Sequence, residues 1–121
     1  AGLVATPAWT VGSGRVAMAG LLAGKGVTAV TCFNDRVAIG AYEAIRAAGL
    51  MVPRDVSVMG FDNEDLVAHL TPPLSTVQLP HDEMARQAVG LLSEGRAPLA
   101  YQRIKVDSPL VLRGSVAANR V

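Results

Sequence analysis

Cysteine, aromatic residues, runs of like charge and long apolar stretches are all scarce in this chain. A single cysteine, Cys32, stands among 121 residues, which excludes an internal disulfide and any cysteine-based metal site. It lies in the apolar run Ala29-Val30-Thr31-Cys32-Phe33 and is expected to be buried and inert. One tryptophan, two tyrosines and two phenylalanines leave the core to Ala, Val, Leu and Ile, in a chain that is 50% hydrophobic. The formal net charge is +1, with no block of Lys and Arg. Clustered cations are what phosphate binding needs, so a nucleic-acid surface is not expected here. No apolar run approaches the roughly 18 residues of a membrane span, and no charged-then-apolar leader opens the sequence. The expectation is a cytosolic globular domain that meets no membrane, long enough at 121 residues to bury a core.

The pattern that is present alternates strands and helices. Residues 1–7 are apolar and suit the tail of a strand. A helix is expected from about Thr10 to Ala23, with Val16, Ala17, Leu21 and Leu22 inward; Gly12, Gly14 and Gly20 weaken it and Gly24 to Gly26 ends it. Thr28 to Phe33 is β-branched and apolar and reads as a buried strand. The helix Asp35 to Ala48 has the clearest stripe, formed by Val37, Ala38, Ala41, Ala44, Ile45 and Ala48, with Gly49 as its stop. Val56 to Met59 is the next strand, running into Gly60-Phe61-Asp62-Asn63. Strand, helix and strand with short connections make a βαβ unit, with parallel strands and a right-handed crossover. A short helix to Leu70, an extended run from Leu74 to Leu79 and a helix from His81 to Ser93 follow. Met84, Ala88, Leu91 and Leu92 are its expected inward face and Gly95 its stop. Tyr101 to Val106 alternates as a strand, Leu110 to Arg113 is apolar and extended, and the tail from Ser115 is expected to fray.

Catalytic chemistry has little to work with. His69 and His81 pair with no Ser or Cys at a motif spacing, and capping or surface roles suit both. Gly20 to Lys25 lacks the spacing of a phosphate loop and follows a helix, whereas such loops open one. No cofactor is implied. Three other residues suit a small polar ligand. Asp62 follows a strand's carboxyl end, where open α/β sheets place ligand contacts, and its two oxygens can accept from paired hydroxyls. The alternative is that Asp62 and Asn63 cap the short helix beginning near Glu64. Asn34, at the end of the preceding strand, is likewise a cap or a ligand contact. Trp9 is a packing residue or a flat wall for a sugar or base ring. All three would emerge on one edge of the sheet, which is how a binding crevice is built.

Phe33-Asn34-Asp35-Arg36-Val37-Ala38-Ile39-Gly40-Ala41, Ala48-Gly49-Leu50, the run Val52 to Asn63, and Thr71-Pro72-Pro73-Leu74-Ser75-Thr76-Val77 together resemble the LacI/GalR family of bacterial transcription regulators. Trp9-Thr10 and Ser13-Gly14 agree at the front, and the resemblance extends to about Gly114. It implies an α/β, periplasmic-binding-protein-like (type I) two-lobed fold, a parallel sheet flanked by helices, holding a sugar or nucleoside-like effector between its lobes. Trp9 would stack on the effector while Asn34 and Asp62 hydrogen-bond it; Leu79 stands where the family often carries Gln. Leu66, Val67 and Leu70, with the helix face from Arg36, would meet a second copy in a homodimer. Residues 1–79 would form part of the carboxyl-terminal lobe. Residues 80–121 would be a crossover helix and strands that pack on the other lobe and return. Without that lobe their apolar faces would dock on another copy, as an exchanged dimer. The family's helix-turn-helix and first lobe have no counterpart in these residues, so DNA would be met only through regions outside them. A periplasmic sugar-binding protein of a transport system is the alternative; an α/β enzyme would need a nucleophile–base pair or metal cluster that the sequence does not offer.

Overall fold

The computed structural model describes residues 2–24, 26–93 and 103–118. Helix α1 (Val11–Ala23) begins where the Thr10 hydroxyl accepts the Ser13 N–H at 3.3 Å, one of the donors that a helix start leaves unpaired. Strand β1 (Ala29–Thr31) leads into α2 (Asp35–Ala47), and α2 into β2 (Ser57–Met59). The two strands pair in parallel with Val30 opposite Val58, the expected βαβ unit. A 3-10 turn (Asp65–His69), a short strand β3 (Thr76–Val77), helix α3 (His81–Ser93) and strand β4 (Leu110–Val111) complete the described elements.

The core lies between α1, α2 and β2. Met18, Ala38, Ala41, Ala44, Ile45, Val56, Val58, Val67 and Leu74 form one buried cluster. The α2 stripe behaves as its period requires, except that Ala48 is exposed at the cap. In α1 the expected Leu21 and Leu22 pack against the core, but Val16 is 70% exposed; the buried positions are Gly14 and Met18, the glycine because the Val37 backbone of α2 lies against it.

β3 and β4 pair antiparallel with Val77 opposite Leu110, and a bridge between Met59 and Ser75 joins this ribbon to β2. Here the expected fraying from Ser115 is overturned. Ser115 is fully buried; its hydroxyl accepts the Ser75 N–H at 2.7 Å and donates to the Val58 carbonyl at 2.6 Å. One hydroxyl thus satisfies a donor and an acceptor that burial would otherwise leave costly. Residues 2–6 form no strand, nor do residues 103–106, since neither segment pairs with another strand among the described residues; Gly95, Tyr101 and Gln102 lie outside the described residues. No residue of α3 is buried, and its expected inward positions face solvent, Leu92 at 84% exposure. An amphipathic helix without a sheet beneath it has nothing among the described residues to cover it.

Candidate functional site

The carboxyl ends of β1 and β2 open on the same edge of the sheet; Trp9 and Asn34 meet there, and Asp62 follows β2 on that edge, lining a hollow that the other two do not. Asn34 is the N-cap of α2: its side-chain oxygen accepts the Val37 N–H at 2.9 Å. That cap leaves the amide nitrogen, which donates to the Trp9 carbonyl at 3.4 Å. The capping role and a place at the rim are therefore compatible in one side chain. Trp9 is 61% exposed, so packing in the core does not explain it. Its ring stacks on Phe33 with centroids 4.5 Å apart and planes 25° from parallel. The strand expected to be buried over Thr28 to Phe33 is instead an edge among the described residues, with Ala29 and Thr31 exposed; Phe33, exposed as well, is the residue that sequence reasoning passed over, its only signal its place between that strand and Asn34.

Asp62 is tied to the same edge by the backbone. The Asp35 N–H donates to the Phe61 carbonyl at 2.8 Å, while Asp62 exchanges backbone hydrogen bonds with the β3 region, donating to Val77 and accepting from Leu79. Asp62 and Asn63 have φ of 113° and 61°, a left-handed region that non-glycine residues rarely occupy. The capping alternative for this pair is overturned. Glu64 starts the 3-10 turn without a side-chain cap, and its N–H donates instead to Asp35 Oδ2 at 2.8 Å. The Asn63 side-chain oxygen accepts from Arg113 Nη2 at 2.7 Å, and the same guanidinium holds the Leu74 carbonyl. Asp62 lines a polar hollow of about 470 Å³ with Asn63, Glu64, Gln78, Leu79 and His81. Partial burial, then the Asp35 and Glu64 carboxylates, raise its pKa above the ordinary aspartate value; His81 and Arg36 act in the opposite sense.

The residues expected at a subunit contact separate. Leu66 is 60% exposed and Leu70 half-buried against the core. Val67 is completely buried in the core cluster, so its apolar side chain is accounted for within the chain and does not reach the surface. Glu64, beside them, meets Arg36 of α2 at 3.0 Å, a surface pair of small energetic weight. Cys32 is largely shielded, and burial pushes its thiol up to about 11, which keeps it protonated and unreactive at neutral pH. No group of three or more His, Cys, Asp or Glu among the described residues is arranged to hold a metal ion. No helix among them is long and apolar enough to cross a membrane.

A family of periplasmic binding protein-like domains matches residues 1–116. The chain is 42% identical over 118 residues to the HTH-type transcriptional regulator MalR of Streptomyces coelicolor, covering 96% of this chain and 34% of that protein. It is 35% identical to a LacI family transcriptional regulator from Arthrobacter sp. solved in complex with lactose, with a TM-score of 0.79, over 89% of this chain and 42% of that one. A LacI family regulator from Enterococcus faecalis solved with bound ribose is 26% identical, with a TM-score of 0.86, over 98% of this chain and 44% of that one. The chain thus spans about a third of the length of the curated relative it matches.

Proposed function

The chain belongs to the periplasmic-binding-protein-like family, in the form found in LacI-type transcriptional regulators, and on that premise we propose that it senses a sugar at the rim built by Trp9, Asn34 and Asp62. The observation that carries this reading is their convergence on one sheet edge. An exposed aromatic pair stands beside the Asn34 amide, and the backbone bond from Asp35 to Phe61 brings the loop that carries Asp62 to the same edge. The apolar C–H face of a sugar ring can lie on Trp9 and Phe33. Its hydroxyls can donate to Asp62 and exchange hydrogen bonds with the Asn34 amide. Relatives solved with lactose and ribose support a sugar over a nucleoside-like effector. Relatives named as transcriptional regulators speak against both the transporter reading and an enzyme.

In the complete regulator the sugar would close a second lobe over this rim and alter DNA affinity through a helix-turn-helix outside this chain. A coupling of that kind is typically worth about 1–3 kcal/mol. Residues 1–79 are then part of the carboxyl-terminal lobe, and residues 80–121 leave it and return. The uncovered face of α3 and the antiparallel return of β4 onto β3 support that division. Leu66, Leu70 and the α2 face from Arg36 remain the surface suited to pairing with a second copy, and α3 the element available for exchange. Light scattering is expected to report a dimer at micromolar concentration; a monodisperse monomer would overturn the pairing.

Titration of the full-length protein with a panel of mono- and disaccharides, read by tryptophan emission, tests the sugar reading. One sugar is expected to give a saturable change that Trp9→Phe abolishes. A panel without any saturable response, or a response that Trp9→Phe leaves intact, would sink it.

A further inference from the structure

We infer that Asp35 is a positioning residue for ligand recognition: its buried carboxylate and its own N–H together hold the Phe61–Glu64 turn in the backbone that sets Asp62 at the rim. The inference rests on the reading that Asp62 contacts the effector. Asp35 is 0% exposed in the first turn of α2. Its N–H donates to the Phe61 carbonyl at 2.8 Å, and its Oδ2 accepts the Glu64 N–H at 2.8 Å. These two bonds bracket Asp62 and Asn63, the two non-glycine residues with positive φ among the described residues. Backbone of that kind persists only where its surroundings over-determine it, and Asp35 grips the turn on both sides of the strained pair.

The remaining oxygen, Oδ1, accepts from the Thr76 hydroxyl at 2.7 Å, which brings β3 into the same knot. Space for the carboxylate exists because position 60 is glycine. A Cβ there would overlap Asp35 Oδ1 and lie 2.9 Å from Leu74 Cδ2. Burying a carboxylate is costly unless donors surround it; here two donors and the positive end of α2 receive it. For filling space an apolar side chain would serve better. An apolar side chain could not do what the two carboxyl oxygens do, which is to receive the Glu64 N–H on one and the Thr76 hydroxyl on the other. Asp35 touches no ligand in this arrangement. It acts through the turn.

Hydrogen exchange on the full-length protein reads the clamp without any ligand. In Asp35→Ala, exchange across 61–65 is expected to rise more than tenfold beyond any change around Ile45 in the core. In Asp35→Asn, whose amide oxygen still accepts from Glu64 while its nitrogen faces Thr76, the rise confined to 61–65 is expected to be three- to tenfold. Should Asp35→Ala fail to fold, Asp35→Asn decides alone. A rise that merely parallels the core, or none, overturns the inference. Calorimetric titration with lactose separates it from the reading beneath it. If Asp62→Asn binds as the wild type does, the effector reading fails. If Asp62→Asn loses affinity and Asp35→Asn does not, the positioning role alone fails. A loss of at least threefold in Asp35→Asn, alongside the loss in Asp62→Asn, supports both.

Discussion

Replacing Asp62 with asparagine is expected to weaken sugar binding about tenfold or more at pH 7 while making the protein more stable. The two effects have one origin. A carboxylate offers only acceptors to a pair of sugar hydroxyls, whereas the amide presents a donor on one side and forms weaker, uncharged bonds. Hydrogen bonds to charged groups are worth about 1 kcal/mol more than neutral ones; across two hydroxyls that is roughly a ten- to thirtyfold loss. The stability gain follows from the raised pKa of Asp62, set by partial burial and then by Asp35 and Glu64, with His81 and Arg36 opposing. The folded state holds the proton more tightly than the unfolded chain does, so ionised Asp62 opposes folding. That penalty is absent below the ordinary aspartate pKa and grows as pH rises above it towards and through the raised folded value. Asparagine tolerates the positive φ of this position and carries no charge. Melting temperatures of the two proteins should therefore differ at pH 7 and converge near the bottom of the carboxylate range. Wild-type sugar affinity should fall as Asp62 protonates on acidification, and the affinity of the variant should not. Equal affinities at pH 7, or a variant less stable there, would sink this account.

Periodicity made α2 legible in the sequence, since a stripe at 3.6-residue spacing bounded by Asn34 and Gly49 states both face and ends; for α3 it marked a helix after Pro80 but not its surroundings, since none of its residues is buried. It made the βαβ unit legible too, because a β-branched run on either side of such a helix leaves few alternatives. What escaped was set by contacts distant in sequence. Ser115 looked like the start of a loose tail until its hydroxyl was seen between Ser75 and Val58, two residues far along the chain in the other direction. Val67 reads as apolar whether it meets a partner or the core, and only burial separates the two. Phe33 and Trp9 sit in different connecting segments, one between β1 and α2 and one before α1, so their stacking has no local signature. Asp35 opens the helix next to its cap, a place that hints at no partner elsewhere in the chain. The cap is Asn34 alone, and the Asp35 partners lie 29 and 41 residues onward. The rim residues Trp9, Asn34 and Asp62 were legible because each follows or precedes an element boundary that the pattern already marked.

The glycines of α1 and α2 lead to the largest expected loss of stability, in Gly40→Ala. Alanine is the better helix former by up to about 1 kcal/mol, so on propensity alone the substitution should stabilise. Geometry reverses the sign. A Cβ at position 40 would overlap the Val11 carbonyl oxygen, stand 2.6 Å from the Arg15 nitrogen and 3.0 Å from the Gly14 carbonyl carbon. All three are backbone atoms, which cannot step aside as a flexible side chain does, so α1 and α2 must separate. Separation opens the packing around Met18, Ala41 and Ile45, and overpacking of this kind costs about 1–3 kcal/mol or more even where side chains can yield. A net loss of roughly 2–4 kcal/mol is expected, a large part of the stability of an ordinary domain, readable as a lower denaturation midpoint. Gly20→Ala is the control, since a Cβ there meets nothing within 4 Å; in α1, the partner helix, it should stabilise slightly. The effect reaches the rim as well. Trp9 precedes α1 and Asn34 caps α2, and the 3.4 Å hydrogen bond between them spans the junction that the new methyl would widen. Sugar affinity measured on the folded fraction of Gly40→Ala should therefore fall while that of Gly20→Ala holds. If both alanines shift the midpoint in the same direction, the close crossing of the two helices is not what positions the aromatic wall against the amide.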